Sequence, residues 1–230
     1  MGDGTDRVAV VCVRDSRRYG LQVLLSRDAA AGCEDPTWFS EGDVETSDHS
    51  PEVLERCYGL TGVEACRLLG HGMTPAPALG CWVAAVRVLY AATRVLYAVE
   101  GRHRTRVPRV LRLRGRRSPH HAAPELASYL TGQNCFFDLT RLLVFSRWNG
   151  AGTGVKRFFL ASLPDDIRVA GFVWLRPEGL LTRWRDQGLS LDFSTFISLR
   201  SLSDFSSCAA VLSEYDTSSL PRRRPSLPLP

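Results

Sequence analysis

A chain of 230 residues can build one well-filled domain with an appendage, or two small ones, and 44% hydrophobic with 23% charged residues is ordinary for a globular protein. The formal charge is +5, and because Lys156 is the only lysine nearly all of the positive charge is guanidinium. Seven cysteines, at 12, 33, 57, 66, 81, 135 and 208, are an odd number without a CxxC pair, which excludes a disulfide framework and a zinc knuckle and fits reduced thiols in an intracellular compartment.

The amino terminus MGDGTDR has neither a signal pattern nor the Ser or Thr that myristoylation would need at Asp6, and no uninterrupted apolar run reaches the roughly 18 residues of a membrane span. The expectation is an intracellular, cytoplasmic protein without a membrane anchor. Arg7 to Val13 is short, β-branched and apolar, as an interior strand would be, and Leu21 to Ser26 returns as its hairpin partner. Asp35 to Ser50 follows, carrying Glu41, Asp43, Glu45 and Asp48. Four acids within eight residues are either ligands for Mg2+ or a solvated acidic loop; the spacing lacks the glycine and terminal glutamate of a calcium loop. Residues 51-80 have the character of an insertion, a short helix over Glu52 to Tyr58 and then a connection punctuated by glycine and by Pro75 and Pro77.

Cys81 to Tyr97 places Trp82, Val86, Leu89, Thr93 and Leu96 at helical intervals, with Arg87 and Arg94 as its charges, seven residues apart and so expected on one face. The segment 100-117 holds eight arginines and one histidine. That run can neutralise the phosphates of RNA or pair with an acidic protein, but it lacks interleaved aromatics for base stacking, Pro108 bars a continuous basic helix, and a solvated charge run is the plainer reading. Glu125 to Leu130 and Asp138 to Leu143 have helical spacing; Leu142 to Trp148 and Val155 to Leu163 read as strands joined at Asn149 to Gly154, where the GAGTG run lacks the Gly-Lys-Ser/Thr ending of a phosphate loop. Pro177 opens a helix, Leu189 to Cys208 is helical with Ser203 or Ser201 as candidate N-cap, and the proline- and arginine-rich end, 215-230, is expected to be disordered.

Arg87 to Val95 resembles the central motif of the Nudix hydrolases, Arg-Glu-apolar-x-Glu-Glu-x-Gly-apolar. Arg87, Leu89 and Val95 match; Val88, Ala91 and Ala92 stand at the glutamate positions and Arg94 at the glycine. Further blocks are similar to the coenzyme A diphosphatase branch, which includes a mammalian peroxisomal enzyme. They are Phe39, Ser40, Gly42 and Asp48; Trp148 with Phe158 to Leu160; Arg168 to Trp174, with Arg168 for an acid; and Phe196, Leu199 and Leu202 to Asp204. Asp35 and Glu41 replace glycines, so that Glu41 would aim its charge at a bound anion, and the peroxisomal tripeptide of some relatives is missing.

The resemblance implies an α/β (α+β) fold, a Nudix-type mixed sheet sandwiched between helices. The expected organisation is a Nudix-like domain over 1-178, a helical extension over 179-214 and the tail. It also implies a hydrolase of coenzyme A or nucleoside-diphosphate compounds whose Mg2+ or Mn2+ is held by carboxylates at i, i+3 and i+4 of one helix face; those carboxylates are absent here. The leading expectation is therefore a non-catalytic relative without a cofactor, in which Arg87 and Arg94 contact an anionic small molecule such as a nucleotide or coenzyme A. The alternatives are a weak metal-dependent diphosphatase recruiting Glu41, Asp43, Glu45 and Asp48, or a module binding RNA or an acidic protein through Arg102 to Arg117.

Overall fold

A computed structural model of the chain describes residues 5–27, 36–70, 72–102, 105–112, 122–149, 154–187 and 189–216. The chain opens with β1 (Arg7–Ser16) and β2 (Gly20–Arg27), the expected hairpin, then β3 (Pro36–Trp38) and β4 (Ser40–Asp43). A 3-10 turn at Thr46–His49, a single turn α1 (Pro51–Leu54), β5 (Cys57–Tyr58) and α2 (Gly62–Leu69) lead to the long helix α3 (Pro75–Thr93). The hairpin β6 (Val95–Arg102) and β7 (Thr105–Arg112), α4 (Ala123–Gly132), β8 (Cys135–Asp138), β9 (Leu142–Asn149), β10 (Val155–Ser162) and β11 (Phe172–Leu175) follow. Helices α5 (Pro177–Gln187), α6 (Phe193–Leu202) and α7 (Cys208–Tyr215) end the described chain. The expected tail lies, from residue 217, outside the described residues, as do the GAGTG turn from 150 to 153 and residues 103, 104 and 113–117 of the arginine run.

Strand β1 organises the packing. It pairs parallel with β10 and antiparallel with β2 and β4, at the centre of a mixed seven-stranded sheet ordered β11-β2-β1-β10-β9, with β3 on β2 and β4 on β1. Every residue from Val8 to Val13 is buried because both faces are covered. Val8, Val10 and Cys12 join the core around α3, while Ala9, Val11 and Val13 join Leu180 of α5, Leu199 and Leu202 of α6 and Val211 of α7. A smaller sheet, β5-β8-β6-β7, packs with α3 and α4 on the first face. The molecule is thus a mixed sheet between helical layers, the fold class expected.

Helix α3 is buried over most of its length, and Trp82 fixes its depth: the indole Nε1 donates to the Leu142 carbonyl at 3.1 Å and the ring meets Phe159 edge-on at 5.1 Å. By length and composition α3 could cross a bilayer, but 72% of its most apolar stretch is inside the protein, as in a core helix. Its limits differ from those expected. Pro75 and Pro77 lie within its first turn, where the missing N–H costs nothing because the first donors of a helix have no intrahelical acceptor. It stops at Thr93 rather than Tyr97, since Arg94 turns left-handed (φ 59°, ψ 20°) and Val95 begins a strand.

Three further differences are local. Asp138 to Leu143 is the end of β8 and a 3-10 turn in which Asp138 accepts from the Thr140 N–H, not a helix. Arg168 to Gly171 is loop, and the strand starts at Phe172. Helix α6 is capped by Asp192 and α7 by Ser207, whereas Ser201 lies inside α6 and Ser203 follows it as C-cap.

Candidate functional site

The two arginines singled out by the sequence are not brought together. Arg87 leaves the middle of α3 toward the segment from Asp43 to Asp48. Its Nε and Nη2 donate to Asp48 Oδ1 and Oδ2, both at 2.9 Å; Nη2 also reaches the Asp43 carbonyl at 2.6 Å, and Nη1 lies 2.9 Å from Glu45 Oε1. Burial opposes the charge on Arg87, but hydrogen bonding and attraction from Asp48, then Glu45 and Asp43, outweigh it and its pKa is raised. Asp48 is fully buried and satisfied, because Oδ2 also accepts the Glu45 N–H at 2.8 Å.

Two glycines permit this approach. A Cβ on Gly42 would come within 2.9 Å of Val88 Cγ2, and one on Gly80 within 2.8 Å of His49 Cβ, so β4 and the 3-10 turn can lie directly on α3. Val88, at a position where the resemblance places a metal-binding glutamate, is buried against β4.

The four acids of this segment are divided between cationic partners. Asp48 and Glu45 belong to Arg87; Glu41 pairs with Arg7 at 2.8 Å and Lys156 at 2.5 Å; Asp43 Oδ1 accepts from Arg7 Nε at 3.1 Å. The charge of Glu41, expected to face an anion, is neutralised from two sides. Among the described residues no three His, Cys, Asp or Glu side chains converge as a metal site. The donor set on α3, hydrocarbon at Val88, Ala91 and Ala92, does not fit the hard divalent cation that the Nudix chemistry uses.

Arg94 lies elsewhere. The C-terminal end of α3 opens on a cavity of about 450 Å³, walled by Ala91, Ala92 and Val169 and lined by three arginines: Arg94 from the helix end, Arg112 from β7 and Arg168 from the loop before β11. Arg112 forms a bidentate pair with Asp166 (2.5 and 2.9 Å), which holds the Asp166 carboxyl below its ordinary range. Among the described residues, Arg168 donates to backbone, the carbonyls of Asp165 (3.1 Å) and Ile167 (3.3 Å). Arg14, stacked 4.2 Å over Trp174, also donates to the Asp165 carbonyl at 2.9 Å, and its pKa is lowered by burial and then by Arg168, with Asp165 opposing.

The sequence alone did not single out Arg112 or Arg168 as members of one site. Arg168 carried a signal, an arginine where the resemblance has an acid; Arg112 was one of eight in a basic run. Within that run Arg109 is paired with Glu100 and Arg112 with Asp166, on the outer strand of the small sheet.

A mixed sheet crossed by one long helix whose C-terminal end opens on a cavity, with three helices covering the other face, defines the architecture of a Nudix fold. The structure is similar to the crystal structure of a NUDIX hydrolase from Alicyclobacillus acidocaldarius, with a TM-score of 0.68 over 93% of this chain and 97% of that one, at 21% identity. An Ap4A hydrolase from C. elegans aligns over 88% of this chain and 98% of its own at 11% identity, with a TM-score of 0.37. No family model and no curated protein matches the sequence.

Proposed function

We propose that this Nudix-fold chain does not run metal-dependent hydrolysis and acts as a ligand-binding protein for an anionic small molecule. A nucleotide or coenzyme A are the classes that the sequence resemblance suggests. The observation that carries this reading is the exchange of charge around α3. Val88, Ala91 and Ala92 supply no oxygen ligand, the nearby acids are spent on Arg87, Arg7 and Lys156, and the cavity beyond Ala92 is lined by guanidinium. Pyrophosphate hydrolysis in this fold relies on a divalent cation to clamp charge and activate water. Of the two arginines, Arg94, which lines the cavity, is assigned to ligand contact and Arg87 to a strut role, its donors directed at Asp43, Glu45 and Asp48.

The test measures turnover and binding separately. With ADP-ribose, coenzyme A and nucleoside diphosphates in Mg2+ or Mn2+, product release is expected to stay at the level of a protein-free blank, while calorimetry in EDTA gives saturable heat with an anionic ligand. Metal-dependent turnover that disappears in Glu45→Ala would replace this reading with the weak-hydrolase alternative.

A further inference from the structure

We propose that the cavity at the C-terminal end of α3 is a direct, metal-free receptor for a phosphate dianion carrying a small aliphatic body. This deepens the ligand-binding reading above and rests on it. Three separate elements each contribute an arginine to the lining of one cavity: Arg94 at the helix end, Arg112 on β7 and Arg168 on the loop. Guanidinium forks match phosphate oxygens bidentately, and three forks from three directions call for more acceptors than the two coplanar oxygens of a carboxylate. The carboxylates on the same loop are Asp165 and Asp166. Asp166 is bidentate on Arg112 and also feels the charge of Arg168, whose side chain bonds to carbonyl oxygens that orient it. Arg14 lies close enough to Arg168 for the two charges to repel, with Asp165 partly offsetting this.

The walls restrict what the phosphate carries. Ala91, Ala92 and Val169 are small and apolar, and among the described residues lining the cavity none is aromatic, so no ring is offered for a base to stack on. About 450 Å³ lies at the lower end of small-ligand sites, which run from about 300 to 1,000 Å³. A head group with a few carbons fits this description better than a nucleotide. Asp166 takes the place of the ligand on Arg112: a phosphate entering the cavity competes with that carboxylate for the same fork.

The experiment follows the arginine Nε–H resonances of the full chain in EDTA at low salt while inorganic phosphate, and then propyl phosphate, is added. Saturable shifts at Arg94, Arg112 and Arg168 are expected, with propyl phosphate the tighter. Arg168→Gln and Arg94→Gly should each weaken binding about tenfold, the scale of one charge-assisted contact. Asp166→Asn should tighten it by freeing Arg112. Absence of saturable shifts, a requirement for Mg2+, or affinity unchanged in both arginine variants overturns the proposal. If coenzyme A or a nucleotide binds in EDTA without moving these resonances, the ligand-binding reading stands and this site is excluded. Metal-dependent turnover removes the reading itself, whatever phosphate does.

Discussion

Arg94 occupies a backbone position that suits glycine, with φ at 59° and its N–H bonded to the Tyr90 carbonyl at 2.8 Å. A side chain there costs about 1 kcal/mol relative to glycine. Arg94→Gly is expected to raise stability by about that amount in urea unfolding, so a drop in anion affinity in the same variant cannot be assigned to unfolding. The Arg87 contacts separate by burial. Asp48 is fully buried with two oxygens on the guanidinium, and Asp48→Asn should cost about 3–5 kcal/mol, because it removes the buried counter-charge and leaves Arg87 only the half-exposed Glu45. Glu45, half-exposed on the same arginine, should cost under about 1 kcal/mol as Glu45→Ala. Equal losses at the two positions would show that burial does not set the strength of this network.

Strand β10 carries a second buried cation, Arg157. Its Nη1 lies 2.9 Å from Asp6 Oδ2, yet the geometry leaves Nε and Nη1 without a hydrogen bond, and Nη2 faces the Met73 sulfur at 3.2 Å. A desolvated pair held this poorly is weak support for the sheet, so replacing both partners, Arg157→Met with Asp6→Asn, should be neutral or stabilising by about 1–4 kcal/mol in thermal or urea unfolding. Elements differ in how far the sequence discloses them, and the reasons are physical. The hairpin of β1 and β2 and the pair of β9 and β10 are legible because β-branched runs end at turn residues. The start of α3 is hidden because proline, usually a breaker, is harmless in a first turn, and its end is hidden because the left-handed cap is an arginine rather than glycine. Within the site, Ala91, Ala92 and Arg94 are legible from spacing and resemblance. The convergence of Arg112 and Arg168 is not, since it depends on how β7 and the loop before β11 meet the helix end.

At the scale of the whole molecule, the C-terminal helices belong to the core. Phe158, Leu160, Ala9, Val11 and Leu25 on one face of the large sheet are buried with Leu199, Leu202 and Val211. A chain ending at residue 189 lacks α6 and α7 and exposes that face, and is expected to bind a hydrophobic dye and lose a cooperative thermal transition; a sharp transition retained by the shortened chain would refute this. The parallel pairing of β1 with β10, from Arg7 opposite Lys156 to Val13 opposite Ser162, also sets a timetable. At about 5–20 residues per second of synthesis, the first strand waits on the order of ten seconds or more for its neighbour. From the time Thr93 has been made until that pairing, the apolar surface of α3 has no completed large sheet to pack on. Nascent chains are therefore expected to expose that surface until the tenth strand has emerged.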